Sequence, residues 1–140
     1  MKKHPTAMIF GVFDGLHEGH RHFISQAAAR CERLIIVVTS DEIVSELKGR
    51  APKYPFEQRM ETIRSAFPAS KAISGDRNLG EWNVLREHSP EIIFLGYDQH
   101  VIADELEKLR EAGEATVLPE FEFLDSHEPH KFKSSLLRSE

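Results

Sequence analysis

I-F-G-V-F-D-G-L-H-E-G-H-R-H-F, from Ile9 to Phe23, is the stretch on which the reading of this chain turns. An apolar run from Ala7 to Phe13 enters a turn marked by Gly11, Gly15 and Gly19. The pattern that leaves the turn is helical, with Phe23, Ile24, Ala27 and Ala28 on one face. Asp14, His17 and His20 lie between the glycines. A strand that ends at a helix N-terminus is a ready anion site, because unpaired N–H groups and the positive end of the helix dipole meet there. Glycine lets the backbone approach a phosphate with no Cβ in the way. His17 and His20 stand three apart and so share a face of the first helical turn. Two imidazole donors beside free N–H groups suit a phosphoryl transition state better than a metal. Zinc would need two further ligands, and no cysteine pair offers them. No G-K-S/T follows, so this is not a Walker loop. The glycines recur every fourth residue, which is not the dinucleotide spacing either.

Outward from this junction, strands and helices alternate. Leu34 to Thr39 is a continuous β-branched run, the pattern of a strand buried on both faces. Ser40 and Asp41 offer N-caps for a short helix from Glu42 to Leu47. Lys48-Gly49-Arg50-Ala51-Pro52-Lys53 reads as a basic loop. Pro55 opens a helix striped by Phe56, Met60, Ile63 and Phe67, and Pro68 stops it. Lys71 to Ser74 predicts a short strand, Glu81 to Glu87 a helix, Ile92 to Leu95 a buried strand ended by Gly96, and Val101 to Ala112 a helix. Ala115 to Leu118 is read as the last strand. Residues 119–133 are read as irregular, with a short helix capped by Ser134 or Ser135 after them. This alternation predicts βαβ units. The expected fold is α/β, Rossmann-like, with a five-stranded parallel sheet between two helical layers. Ligands on such sheets bind beyond the carboxyl ends of the strands, at the switch point.

With 140 residues the chain reads as a single domain, residues 1–140, large enough for a core. Its net charge of −5 argues against a nucleic-acid partner, so a polyphosphate must be held by a local basic cluster. Its one cysteine, Cys31, rules out an internal disulfide and fits a reducing cytoplasm. There is no apolar run of the roughly 18 residues a spanning helix needs, and the basic start lacks the apolar segment of a signal peptide. Neither a membrane partner nor a resident metal site is expected. Trp82 is read as a packing residue, and His127 and His130 lie in an irregular segment that predicts no metal role.

The pairing of Gly11-Val12-Phe13-Asp14 with His17-Glu18-Gly19-His20 resembles the G-x-F-D and H-x-G-H signature of the cytidylyltransferase-like nucleotidyltransferases. The resemblance extends over roughly residues 7–138. It implies the nucleotidyltransferase type of Rossmann-like fold and the transfer of a nucleoside monophosphate from a nucleoside triphosphate to a phosphomonoester, with release of pyrophosphate. Leu47-Lys48-Gly49-Arg50, Pro55 to Arg59 and Leu95-Gly96-Tyr97-Asp98-Gln99 look most like the archaeal-type FAD synthases, which adenylylate FMN. Glycerol-3-phosphate cytidylyltransferases and phosphopantetheine adenylyltransferases share the scaffold and are the alternatives. A nucleotide-binding module without turnover is a third. Two departures stand out. Val12 occupies a position where many members carry threonine, and Lys133-Ser134-Ser135-Leu136-Leu137-Arg138 is a shortened form of the C-terminal motif.

The resemblance assigns roles residue by residue. His17, His20 and Lys48 are expected to be catalytic, the histidines as donors to the α- and β-phosphate oxygens and Lys48 against developing charge. Gly11, Phe13, Gly19, Gly96, Asp98, Ser134, Ser135 and Arg138 are expected on the nucleotide. Asp14 and Arg59 are expected on the acceptor side, with Asp14 orienting its loop or a magnesium ion rather than acting as a base. An acceptor phosphate is already anionic, so catalysis reduces to positioning and charge stabilisation. Magnesium is expected to arrive with the triphosphate. The resemblance also implies a homodimer.

Overall fold

The computed structural model describes residues 4–76, 82–96, 99–112 and 119–124. In chain order the elements are β1 (His4–Gly11), α1 (Glu18–Ala29), β2 (Cys31–Val38), α2 (Asp41–Lys48), α3 (Phe56–Ala66), β3 (Lys71–Ser74), α4 (Asn83–His88), β4 (Ile92–Leu95), α5 (His100–Ala112) and β5 (Glu120–Phe123). The five strands form one sheet in the order β3-β2-β1-β4-β5, and every pairing is parallel. This is the Rossmann-like α/β architecture expected. Chain order reverses direction beside β1, so the crevice between the carboxyl ends of β1 and β4 is the switch point.

Side-chain alternation along the central strands sorts the core into two layers. Ala7, Ile9, Leu34, Ile36, Val38, Ile92 and Phe94 pack with Ile24 and Ala27 of α1 and with Met60 and Ile63 of α3. Met8, Ile35, Val37, Ile93 and Leu95 face the opposite way, onto Val84 and Leu85 of α4 and Ala103 and Leu106 of α5. The continuous apolar runs follow from this: both faces of the central strands are covered. Helix starts and stops are equally local. The Ser40 hydroxyl accepts from the Ile43 N–H at 3.3 Å to open α2, and Gly49, at φ 71°, closes it in the left-handed region that glycine tolerates.

Two boundaries differ from expectation at the sheet's ends. β1 spans His4–Gly11 rather than Ala7 to Phe13. His4 and Thr6 extend the ladder to Cys31 and Arg33, while Phe13 leaves the sheet with φ 53°. The polar start hid the strand, and the aromatic end disguised a turn. β5 is Glu120–Phe123, inside the segment read as irregular, and it pairs with the whole of β4. Its Glu-Phe-Glu-Phe alternation is that of an edge strand, with Phe121 and Phe123 packed on the core and the glutamates exposed. The expected strand at 115–118 lies outside the described residues.

Candidate functional site

β1 ends at Gly11, and the next six residues carry the chain to α1. Phe13 decides the path of this turn. Its ring is buried, 4% exposed, and lies flat under Gly11, where a Cβ would come within 2.4 Å of a ring carbon. Glycine at position 11 is therefore required by this packing. The same ring meets the edge of the His20 imidazole, with centroids 5.5 Å apart and planes at 80°. Phe13, expected on the nucleotide, thus supports the histidine from below with its ring.

His17 is the N-cap of α1 and His20 is its third helical residue. The two close a reciprocal capping box. The His20 N–H donates to His17 Nδ1 at 3.2 Å, and the His17 N–H donates to His20 Nδ1 at 3.3 Å. The rings stack with centroids 3.6 Å apart and planes 15° from parallel. An Nδ1 that accepts a backbone N–H carries no proton, so each neutral ring holds its proton on Nε2. The cap thus fixes the tautomer of both imidazoles and makes both Nε2 atoms donors. Glu18 and Gly19 lie in the first turn of α1, where the helix has no carbonyl of its own for their N–H groups.

Burial lowers the His20 pKa from 6.5 to about 4, helped by repulsion from His17 and from Lys48, and opposed by the Gly15 backbone. His20 is therefore neutral at physiological pH. Lys48, in the last turn of α2, is near enough for its charge to be felt at the imidazole. A pH dependence follows. The folded chain binds this proton less well than the unfolded chain, so the contribution to stability is complete above about pH 6.5 and is lost as the pH falls towards 4. Denaturant unfolding should show stability falling by about 2 kcal/mol between roughly pH 7 and pH 5 on this group alone. A variant without the imidazole should lack that component. An identical pH slope in the two proteins would exclude His20 as its source.

Asp14 orients a loop. Its Oδ2 accepts the Lys53 N–H at 2.6 Å and its Oδ1 accepts the Tyr54 N–H at 2.8 Å, which ties the basic segment before α3 to the histidine turn. With one backbone N–H on each oxygen the carboxylate acts as a brace.

Arg59 departs most from expectation. It is 1% exposed and does not face open solvent where an acceptor would bind. Its Nε donates to the Tyr54 carbonyl at 3.0 Å, and its Nη1 to the carbonyls of Val12 and Thr39, each at 2.9 Å. Its Nη2 pairs with Asp41 Oδ1 at 2.5 Å. Together these bonds make an internal tie joining the ends of β1 and β2, the start of α2 and the approach to α3. Thr39 and Tyr54 were not singled out from the sequence, and Asp41 only as a helix cap. Their contributions are mostly backbone carbonyls, which residue type does not advertise.

Across the crevice, Gly96 follows β4 and its N–H donates to the side chain of Gln99 at 2.8 Å. Trp82 packs edge-on against Phe10, with centroids 5.6 Å apart, as a packing residue should. Asp98, Ser134, Ser135 and Arg138 lie outside the described residues. Among the described residues, no group of three or more His, Cys, Asp or Glu gathers as a metal site would require. Nor, among them, is any helix long and apolar enough to cross a membrane.

A family model described as cytidylyltransferase-like matches residues 8–140. A protein named FAD synthase from Thermococcus sibiricus is 32% identical over 122 residues, covering 84% of this chain and 82% of the relative. Another of that name, from Pyrococcus abyssi, is 36% identical over 107 residues, covering 76% and 72%. Among solved structures, a lipopolysaccharide core biosynthesis protein from Thermoplasma volcanium superposes with a TM-score of 0.74 at 26% identity, covering 89% of this chain and 98% of that one. A bifunctional NMN adenylyltransferase/ADP ribose pyrophosphatase from Francisella tularensis, at 16% identity and a TM-score of 0.60, shares the fold; it covers 97% of this chain and 41% of that one.

Proposed function

The chain belongs to the cytidylyltransferase-like family, and we propose that it is an adenylyltransferase that moves the AMP of ATP onto the phosphate of FMN. An oxygen of the FMN phosphomonoester attacks the α-phosphorus of ATP in line. The bond from that phosphorus to the oxygen bridging towards the β-phosphate breaks, and pyrophosphate leaves with the electron pair. The acceptor oxygen is already anionic, so no general base is needed.

The observation that carries this reading is the capped, stacked histidine pair at the end of β1. Both rings have their tautomer set by the backbone, and His20 is held neutral. A neutral imidazole with its proton on Nε2 is a hydrogen-bond donor that does not have to surrender a proton, which suits oxygens that gain charge as the leaving group departs. His17 and His20 contact the α- and β-phosphates, and Lys48 offsets the charge that develops there. The first-turn N–H groups around Gly19 supply further donors. Gly11 and Gly96 line the nucleotide's path. Asp98 meets the base, while Ser134, Ser135 and Arg138 hold the phosphates from the C-terminal side. Magnesium, arriving with the triphosphate, supplies further charge neutralisation. The relatives named FAD synthase support ATP and FMN as the pair. The one cysteine, Cys31, is buried and suits a reducing cytoplasm.

A pyrophosphate-release panel tests the proposal by crossing ATP and CTP with FMN, glycerol 3-phosphate and phosphopantetheine. ATP with FMN should give stoichiometric pyrophosphate and FAD. Turnover of CTP with glycerol 3-phosphate, and none of ATP with FMN, would reverse the substrate assignment. No turnover in any arm would reduce the chain to a nucleotide-binding module.

A further inference from the structure

Between β1 and β4 the backbone ladder is short. It pairs Ala7 with Ile92 and Met8 with Ile93, after the Glu91 N–H has donated to the Thr6 carbonyl at 2.9 Å. Carbonyls two residues apart on a strand point to the same side. The next carbonyl in phase after Thr6 and Met8 is therefore that of Phe10, and it too faces β4. It receives its donor from a side chain: Gln99 Nε2 donates to the Phe10 carbonyl at 2.7 Å. The other half of the same amide, Oε1, accepts the Gly96 N–H at 2.8 Å. The Gln99 backbone N–H also donates to the Gly96 carbonyl at 3.0 Å.

Gln99 thus contributes a surrogate peptide group, donor on one side and acceptor on the other, at the point where the two strands part. Only an amide can do this. A carboxylate has no N–H for Phe10, and an aliphatic side chain would leave both backbone groups unpartnered. The two groups it joins sit on opposite lips of the switch-point crevice. Phe10 leads directly into Gly11 and the histidine turn, and Gly96 opens the loop after β4.

We propose that Gln99 is a positioning residue that fixes the span between these lips, and with it the separation of the nucleoside and triphosphate halves of the bound nucleotide. The inference rests on the adenylyltransferase reading for its ligand, though not for the bridge itself. The predicted signature is a split. Without the bridge each half-site survives, but the two are no longer held in register. Gln99→Leu should therefore weaken ATP binding by about tenfold or more, while inorganic tripolyphosphate, which has no nucleoside to place on the Gly96 side, should bind within about twofold of wild type. Gln99→Glu keeps the acceptor for Gly96 and loses the donor for Phe10, so its ATP affinity should fall between the two.

Calorimetric titration of the three proteins with ATP and with tripolyphosphate reads the split. Amide hydrogen exchange at Gly96 reads the bridge without any ligand. Protection there should drop by about tenfold in Gln99→Leu and be retained in Gln99→Glu. Unchanged Gly96 protection in the leucine variant, or equal weakening of both ligands, would overturn the proposal. So would unchanged ATP affinity. A wild-type chain that turns over no acceptor sinks the functional reading alone, because the exchange experiment still decides whether the bridge exists.

Discussion

On the proposed reaction, replacing His20 with glutamine should slow nucleotidyl transfer by roughly 100- to 1000-fold, the effect of losing one transition-state donor worth about 2.7–4 kcal/mol. Glutamine is the informative substitution because His20 has two jobs. Its Nδ1 caps the helix start by accepting the His17 N–H, and its ring carries the Nε2 proton. A glutamine at the third helical position can return to the N-cap N–H in the ordinary capping-box manner. Alanine would add a capping loss of about 1 kcal/mol and confuse the two roles. The loss should fall mainly on kcat, with a smaller change in KM for ATP, because the donors are worth most as charge grows in the transition state. Steady-state pyrophosphate release and thermal unfolding, measured on the same preparation, check both halves. A kcat within about threefold of wild type, in a variant that folds normally, would remove His20 from the chemistry.

The sheet was legible in the sequence because its central strands are buried on both faces. Leu34 to Val38 and Ile92 to Leu95 can be little else than interior strands of an α/β fold, and each lies where its residues foretold. The histidine junction was legible for a different reason. Gly11, Asp14, His17 and His20 are residue types whose chemistry is local, and a few positions suffice to fix their mutual placement. β5 was missed because an edge strand needs only alternate apolar residues, and Glu-Phe-Glu-Phe is too short to stand out beside Pro119.

What could not be read is where the chain's long polar side chains go. Arg59 and Gln99 were both visible as members of a motif, but three of the partners they reach are backbone carbonyls 20 or more residues away, those of Thr39, Val12 and Phe10. Backbone groups are present at every position, so no residue pattern marks the ones that will be answered by a side chain. A basic residue beside a phosphate site invites assignment to the ligand. Burial and hydrogen-bond geometry show instead what the guanidinium of Arg59 holds within the fold.

Arg59 carries the second large effect. Changing it to leucine should cost about 3–5 kcal/mol of folding stability, the range found when one partner of a buried charged network is removed. Leucine restores neither the length nor the donors, and the carbonyls of Val12, Thr39 and Tyr54 lose their partner together. Asp41, itself 45% exposed, can recover water and contributes the smaller share. A domain of this size has roughly 5–15 kcal/mol in hand, so the variant should fold but unfold at markedly lower urea. Lysine is no conservative rescue. Its ammonium is a compact point charge that cannot span three carbonyls and a carboxylate in the way a planar fork does. The alternative assignment, a direct hold on substrate, makes the opposite forecast: stability unchanged and KM for the acceptor raised. Equilibrium urea unfolding beside initial-rate kinetics separates the two. A leucine variant within about 0.5 kcal/mol of wild type would return Arg59 to the substrate and leave the ends of β1 and β2 to be held by other contacts.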